Sequence, residues 1–311
     1  MPSKTKFLGS NLILSPTSKC LMRSSNSRRW LDPKQWVSRL GLMCATTAIA
    51  GFAAPAFAAG PAFNNLTQSQ FDDAIRELSA NSSFYSVSGA SSLGTIFGIE
   101  AGLVAGLSGS PKINEFAKQV DANADVGRIP HANILAAVSV PFGITGEMVF
   151  LPSISVGDFK YQQFGAALKW TANEGLPFLP FNLAVRGFIT RNSMNFKQTL
   201  NNASTGNVPV DVTVTQENSQ TGIQILAAPG LPLVEPYVGV GFISAKGSLG
   251  VSGTTTGTIF SFTSAQNAES QPTSTQLLLG VTANLLIVNL GAEWSRAFGT
   301  DTYNVKFGFK F

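Results

Sequence analysis

The last nine residues, Tyr303-Asn304-Val305-Lys306-Phe307-Gly308-Phe309-Lys310-Phe311, alternate without a break between apolar positions and polar or glycine ones. Period two is the repeat of a β-strand, whose successive side chains leave opposite faces. Tyr303, Val305, Phe307, Phe309 and Phe311 form one wholly apolar face, and Lys306 and Lys310 lie on the other. A long, flat, aromatic strand left at a sheet edge in water invites pairing with other chains. It is tolerated where another strand of the same sheet closes the edge and lipid meets the apolar face. A soluble sandwich or barrel with a hydrophobic final strand is the competing fold.

Charged residues are 12% of the 311, about half the usual share. The one long apolar run, Leu40–Ala54, lies near the N-terminus. Apolar residues dispersed at every second position fit a transmembrane β-barrel. Lys34 and Arg39 precede the run, and Ala56-Phe57-Ala58 is a small-x-small cleavage pattern. Residues 1–58 thus read as a signal peptide cleaved near Ala58, with Met22 a candidate start. Ser27-Arg28-Arg29-Trp30-Leu31 has a twin-arginine pattern, but it sits well before the apolar run, and that route exports folded proteins. Cys44 follows Met43, which is too large for a lipoprotein site. Removing residues 1–58 takes away Cys20 and Cys44, eight of the 21 Lys and Arg, and one of the 17 Asp and Glu. The remainder, at net −3, has no thiol chemistry and no charge suited to nucleic acid.

Residues 59–92 form a lead-in. Thr67–Ala80 reads as a short amphipathic helix with Phe71, Ala74, Ile75 and Leu78 on one face. It could plug a lumen, lie at the membrane interface or sit in the periplasm. Residues 93–311 divide into about ten strands: 94–107, 131–141, 147–156, 161–172, 181–200, 208–227, 236–249, 273–283, 288–297 and 302–311. Eight to twelve are compatible with the pattern. Between 107 and 131, Ser110-Pro111 reads as an N-cap and first turn of a second short helix. Residues 253–271 read as a Ser/Thr-rich loop with a hairpin extension. Short connections near 143–146, 174–180, 228–234 and 284–287 alternate with an opposite set that contains every long one, as in an up-and-down barrel with both ends periplasmic.

With the apolar faces outward, Glu100, Glu147, Lys169, Arg186, Glu293, Lys306 and Lys310 point into the lumen, with Glu235 and Tyr237 near an inner turn. A type II′ turn at Gly299-Thr300 places Glu293 opposite Lys306. A three-residue connection at 157–159 places Glu147 opposite Lys169. Closure brings Lys306 near Glu100. The expected interior is a ladder of paired charges that either seals the lumen or forms a charged constriction.

Catalytic signals are poor. His131 is the only histidine, so nucleophilic catalysis or a histidine metal site would rest on it alone. No Ser or Asp spacing supports a hydrolase. The expectation is a non-enzymatic chain with no metal and no cofactor.

The aromatic final strand resembles the C-terminal assembly signal of bacterial outer-membrane barrels, which implies the barrel-assembly machinery and outer-membrane lipid as partners. Leu183-Ala184-Val185-Arg186-Gly187-Phe188, Pro236-Tyr237-Val238-Gly239-Val240-Gly241-Phe242 and Leu290-Gly291-Ala292-Glu293-Trp294 resemble a family of bacterial outer-membrane barrels of unknown function. There is a weaker similarity to outer-membrane transporters of hydrophobic compounds, which place an N-terminal segment in or under the barrel. The resemblance implies a bacterial outer-membrane location and carries over no site residue. The expected function is a channel or transporter for small or hydrophobic compounds. The alternative is a sealed structural or surface-interaction barrel acting through its outer loops.

Overall fold

The computed structural model describes residues 68–94, 96–120, 125–156, 158–172, 181–202, 208–231, 233–255 and 263–311. All of them belong to one compact unit, Thr46–Phe311. The segment expected to be a signal peptide lies outside the described residues.

Ten antiparallel strands close into a barrel. In chain order they are β1 (Gly98–Gly109), β2 (Arg128–Val140), β3 (Ile144–Val156), β4 (Phe159–Thr171), β5 (Phe181–Asn202), β6 (Val208–Pro229), β7 (Val234–Thr255), β9 (Thr273–Leu285), β10 (Val288–Ala297) and β11 (Thr300–Lys310). Each pairs with the next, and β11 pairs with β1 from Glu100↔Lys310 to Ser108↔Thr302. The terminal strand thus has a partner on both edges. Its Tyr303, Val305, Phe307 and Phe309 are exposed to the outside, while Thr302, Asn304 and Lys306 are buried in the lumen. The same outward rule holds for Leu168 and Trp170, Ile223 and Ile225, Val238 and Val240, and Leu277 and Leu279. An exposed apolar belt around a closed, polar-lined ring is the solution lipid imposes on strands.

The end holding Gly98 and Lys310 is called the near end, and the opposite one the far end. The stretch 253–271 carries the hairpin extension expected of it, as paired strand. β7 runs on to Thr255, and β8 (Thr263–Ser270) pairs with the far half of β7 outside the ring. Thr254 and Thr255 favour extended backbone, and the adjoining β6 supplies a ladder for β7. β5, β6 and β7 have 22 residues each, about twice what a membrane crossing needs. Their outer halves and β8 form a sheet that projects beyond the belt. Helix α1 (Gln68–Asn81) lies on its inner face, with Phe71 and Ile75 against Val214 and Leu249.

Helix α2 (Pro111–Val120) forms over the expected stretch. Its cap is not Ser110, whose hydroxyl bonds the Val126 carbonyl. Glu77 of α1 supplies it, accepting hydrogen bonds from the amides of Lys112 (2.7 Å) and Ile113 (2.9 Å).

Two turns also differ from expectation. The β2–β3 turn is Pro141–Gly143, with Phe142 and Gly143 at φ 71° and 74°, rather than 143–146. The β10–β11 turn is Phe298-Gly299, with φ 54° and 79°. Both central residues are left-handed, so it is a type I′ turn and not the II′ turn at Gly299-Thr300. A left-handed Phe costs roughly 1–2 kcal/mol. Phe298 is buried in the core, which returns about 1.5–3 kcal/mol. The shift moves the register by two: Glu293 faces Asn304, and Lys306 faces Gly291.

Candidate functional site

The lead-in is a plug. α1 sits at the far mouth, and the extended segment that follows it, Ser82 to Leu93, runs through the lumen toward β1. Its Phe84, Tyr85, Ser86, Val87 and Ser88 are buried. Of the three placements open to the lead-in, the lumen is the one observed. Inward glycines make room for it. A Cβ on Gly165 would stand 3.1 Å from Phe84, one on Gly291 2.8 Å from Val87, and one on Gly247 2.6 Å from Ile75. The wall is therefore shaped to the plug. Phe84 stacks on Phe188 with ring centroids 5.6 Å apart, and Tyr85 stacks on His131 at 5.2 Å. The Tyr85 hydroxyl donates to the Ala80 carbonyl, and burial pushes its pKa up to about 12.

Several of the luminal charges meet on this segment. Glu147 accepts hydrogen bonds from the Ser86 and Ser88 hydroxyls at 2.7 Å each. Arg186 Nη1 lies 3.2 Å from Glu147 Oε2 and donates to Ser86 Oγ (2.7 Å), while its Nε donates to Gln224. Lys169 lies 3.4 Å from Glu147 Oε1 and donates to the carbonyls of Gly89 and Ser91 at 3.0 Å. Lys169 faces Thr145 in the ladder, not Glu147 as the expected turn would have it. Its side chain spans the diagonal instead. Glu293 accepts from the Tyr237 hydroxyl at 2.7 Å. Glu235 accepts from the Ser91 amide at 2.9 Å. Lys306 reaches Glu100 at 2.8 Å.

The six residues of the expected ladder therefore form two groups and one single. Glu147, Lys169 and Arg186 come together around the plug. Glu100 and Lys306 meet at the seam. Glu293 bonds to a tyrosine. Sequence reasoning missed Ser86 and Ser88, whose only signal is the alternation Ser86-Val87-Ser88 in a segment without regular structure. The one lead for catalysis, His131, lies between Asn81 (Nδ1 to Oδ1, 3.0 Å) and Asn304 (Nε2 to Oδ1, 2.7 Å). It anchors the plug and has neither a hydroxyl nor a carboxylate among these ring-nitrogen partners. No cluster of His, Cys, Asp or Glu suited to a metal occurs among the described residues.

The wall itself is incomplete on one side. β2 and β3 pair only from Ile134↔Phe150 to Val140↔Ile144. Toward the far end, Arg128–Asn133 stays paired with β1, and Ile154–Val156 with β4, but the two strands no longer pair with each other. Prolines explain the parting. Extending the register would set Pro152 against Ala132 and Pro130 against Ile154. A proline has no N–H to give to a ladder. β3 is also irregular between Leu151 and Ile154. The buried Asn133 and Leu151 lie on the inner side beside the parting. The Asn133 amide has no hydrogen-bond partner on either atom.

A family model described as a family of unknown function (DUF6588) matches residues 59–311. No curated protein matches the chain. Among solved structures, the translocator domain of autotransporter NalP from Neisseria meningitidis matches with 11% identity and a TM-score of 0.38, over 70% of this chain and 88% of that one. The outer-membrane protease OmpT from Escherichia coli matches with 10% identity and a TM-score of 0.37, over 69% and 96%. The toluene transporter TodX from Pseudomonas putida matches with 8% identity and a TM-score of 0.31, over 74% and 94%. None of the three lends this chain an activity.

Proposed function

The chain belongs to that family of unknown function, and we propose that it is a non-enzymatic outer-membrane barrel that passes small apolar compounds from the side. Its axis is closed by residues 82–93. The parting of β2 and β3 is the observation that carries this reading. A water-filled axial pore is disfavoured because the plug seats in glycine sockets and the carboxylates and ammonium groups of the lumen are bonded within the protein. At the parting the wall lacks a ladder, and behind it lie the rings of Phe84 and Tyr85. Such a site suits a compound that partitions into lipid first.

The test is a cysteine pair, Ala132→Cys with Pro152→Cys, at the positions where the extended register would meet. Cells carrying the pair are assayed for uptake of a small apolar dye. Uptake should fall on oxidation and return on reduction. Equal uptake in both states would remove the lateral route.

A second reading is a surface-interaction barrel. The projecting sheet β5–β8, backed by α1, favours it, because no membrane crossing requires strands of that length. Shortening β6 and β7 beyond Gln216 and Leu249 while uptake persists would separate the two roles.

A further inference from the structure

We propose that the near rim of the barrel is covered by inner-leaflet phospholipid, its turn side chains set among acyl chains and not in periplasmic water. Among the described residues, four that are not glycine have a left-handed φ: Val87, Phe142, Leu286 and Phe298. Such a backbone is costly for any side chain with a Cβ. For Val87 and Phe298, burial in the core offsets the cost. Phe142 and Leu286 are 78% and 98% exposed, so nothing within the chain offsets it. Both stand at the tips of near-end turns, Phe142 between β2 and β3 and Leu286 between β9 and β10. A turn standing in water takes Gly or Asn at such a position. The near end carries the short turns, which in bacterial barrels face the periplasm, so the leaflet it meets is the inner one.

The rim is apolar beyond these two tips. Leu231, Leu233, Ile287 and Phe311 stand exposed on it. Among the described residues, no exposed side chain of the rim carries a charge. At the far side the belt does end in charge: Arg296 and Asp301 are ladder partners and pair at 3.6 Å. From Asp301 to Phe311 the chain advances about 33 Å along its length, or about 25 Å along the membrane normal for a strand tilted by about 40°. That is the whole height of a lipid-facing belt. The lower boundary of the hydrocarbon therefore falls at the rim itself, and the rim continues the belt with no polar collar beneath it. The backbone suits this depth. The Lys310 amide donates to the Ile287 carbonyl, the Asn284 amide donates to the Leu233 carbonyl, and Ile99 and Phe311 exchange both their bonds, each at 2.8 Å. Groups that water would otherwise satisfy are thus bonded within the rim.

This inference rests on the membrane placement proposed above and is independent of transport. The full chain is refolded into lipid nanodiscs of phosphatidylethanolamine and phosphatidylglycerol, which leave both ends of the barrel open to water and contain no other cellular protein. Single cysteines are placed at Leu286→Cys and Phe142→Cys on the rim, at Leu279→Cys in the belt and at Gln162→Cys on the projecting sheet. A charged maleimide is added, and its rate at each site is read by peptide mass spectrometry. Heat-modifiable migration in gels shows that each variant is folded. Labelling at Leu286→Cys and Phe142→Cys should be slower than at Gln162→Cys by about tenfold or more, the factor that burial of one Leu-sized side chain gives. Labelling at Leu279→Cys should be slower still. Fast labelling at Leu279→Cys would overturn the membrane placement and this inference with it. Slow labelling there, with both rim sites as fast as Gln162→Cys, would overturn the lipid-covered rim alone and leave those side chains to a protein partner.

Discussion

Lys306 Nζ lies 2.8 Å from Glu100 Oε1 across the seam where β11 meets β1, although Lys306 faces Val104 and Glu100 faces Lys310 in the ladder. The pair that separates them, Gly102↔Gly308, has no side chains, and the Glu100 carboxylate lies over Gly308. Two glycines thus allow an ion pair four positions out of register. Both groups are buried. Lys306→Met strands the carboxylate and should cost about 3–5 kcal/mol, as removal of one partner of a buried pair does. Lys306→Met combined with Glu100→Gln should recover part of it. Urea unfolding in lipid, followed by heat-modifiable migration, reads both.

The seam illustrates what could be read from the sequence. Alternation gave the faces, because an outward charge in lipid is costly, and so it placed Glu100, Glu147, Lys169, Arg186, Glu293 and Lys306 on the inner wall. Register was harder. It depends on which two residues turn, and at β10–β11 the burial of Phe298 outweighed the preference for glycine at the first turn position. A shift of two keeps every residue on its face and changes every partner. The plug was legible as a helix, with the lumen only one of three placements open to it, since its seat is made by Gly165, Gly247 and Gly291 on distant strands. The parting of β2 and β3 did have a local signal, Pro130 and Pro152, which became meaningful only once the two strands were known to be neighbours.

Phe298 tests that competition. Phe298→Asn relieves the left-handed strain but empties a core position. Loss of a buried Phe costs about 3–5 kcal/mol against roughly 1–2 kcal/mol of strain, so the variant should be less stable by about 1–4 kcal/mol. A more stable variant would show that the turn, and not the burial, sets the register.

Gly291→Val tests the fit of the plug. The added side chain meets Val87, from which even a Cβ would be 2.8 Å away. Overpacking of this kind costs about 1–3 kcal/mol. The plug should loosen while the barrel persists, so proteolysis should cut within residues 82–93 with heat-modifiable migration unchanged.

Glu77 links the plug to the β1–β2 loop, and the link should depend on pH. Burial raises its carboxyl above the ordinary 4.5, with the amides of Ile113 and Lys112 pulling the other way. The protonated form is therefore favoured in the folded state. The contribution is fully present below pH 4.5, where both states hold the proton, and is lost as pH rises through the raised value. Protection of the α1 amides, measured against their intrinsic exchange rates, should fall over that interval. Glu77→Gln should abolish that fall in protection.

The closed axis is tested most directly by planar-bilayer recording of the refolded full chain beside a variant lacking residues 68–93. The full chain should give no steady current, and the variant should give stable ohmic steps. Steady steps of equal size from both proteins would contradict a lumen closed by its own N-terminal segment.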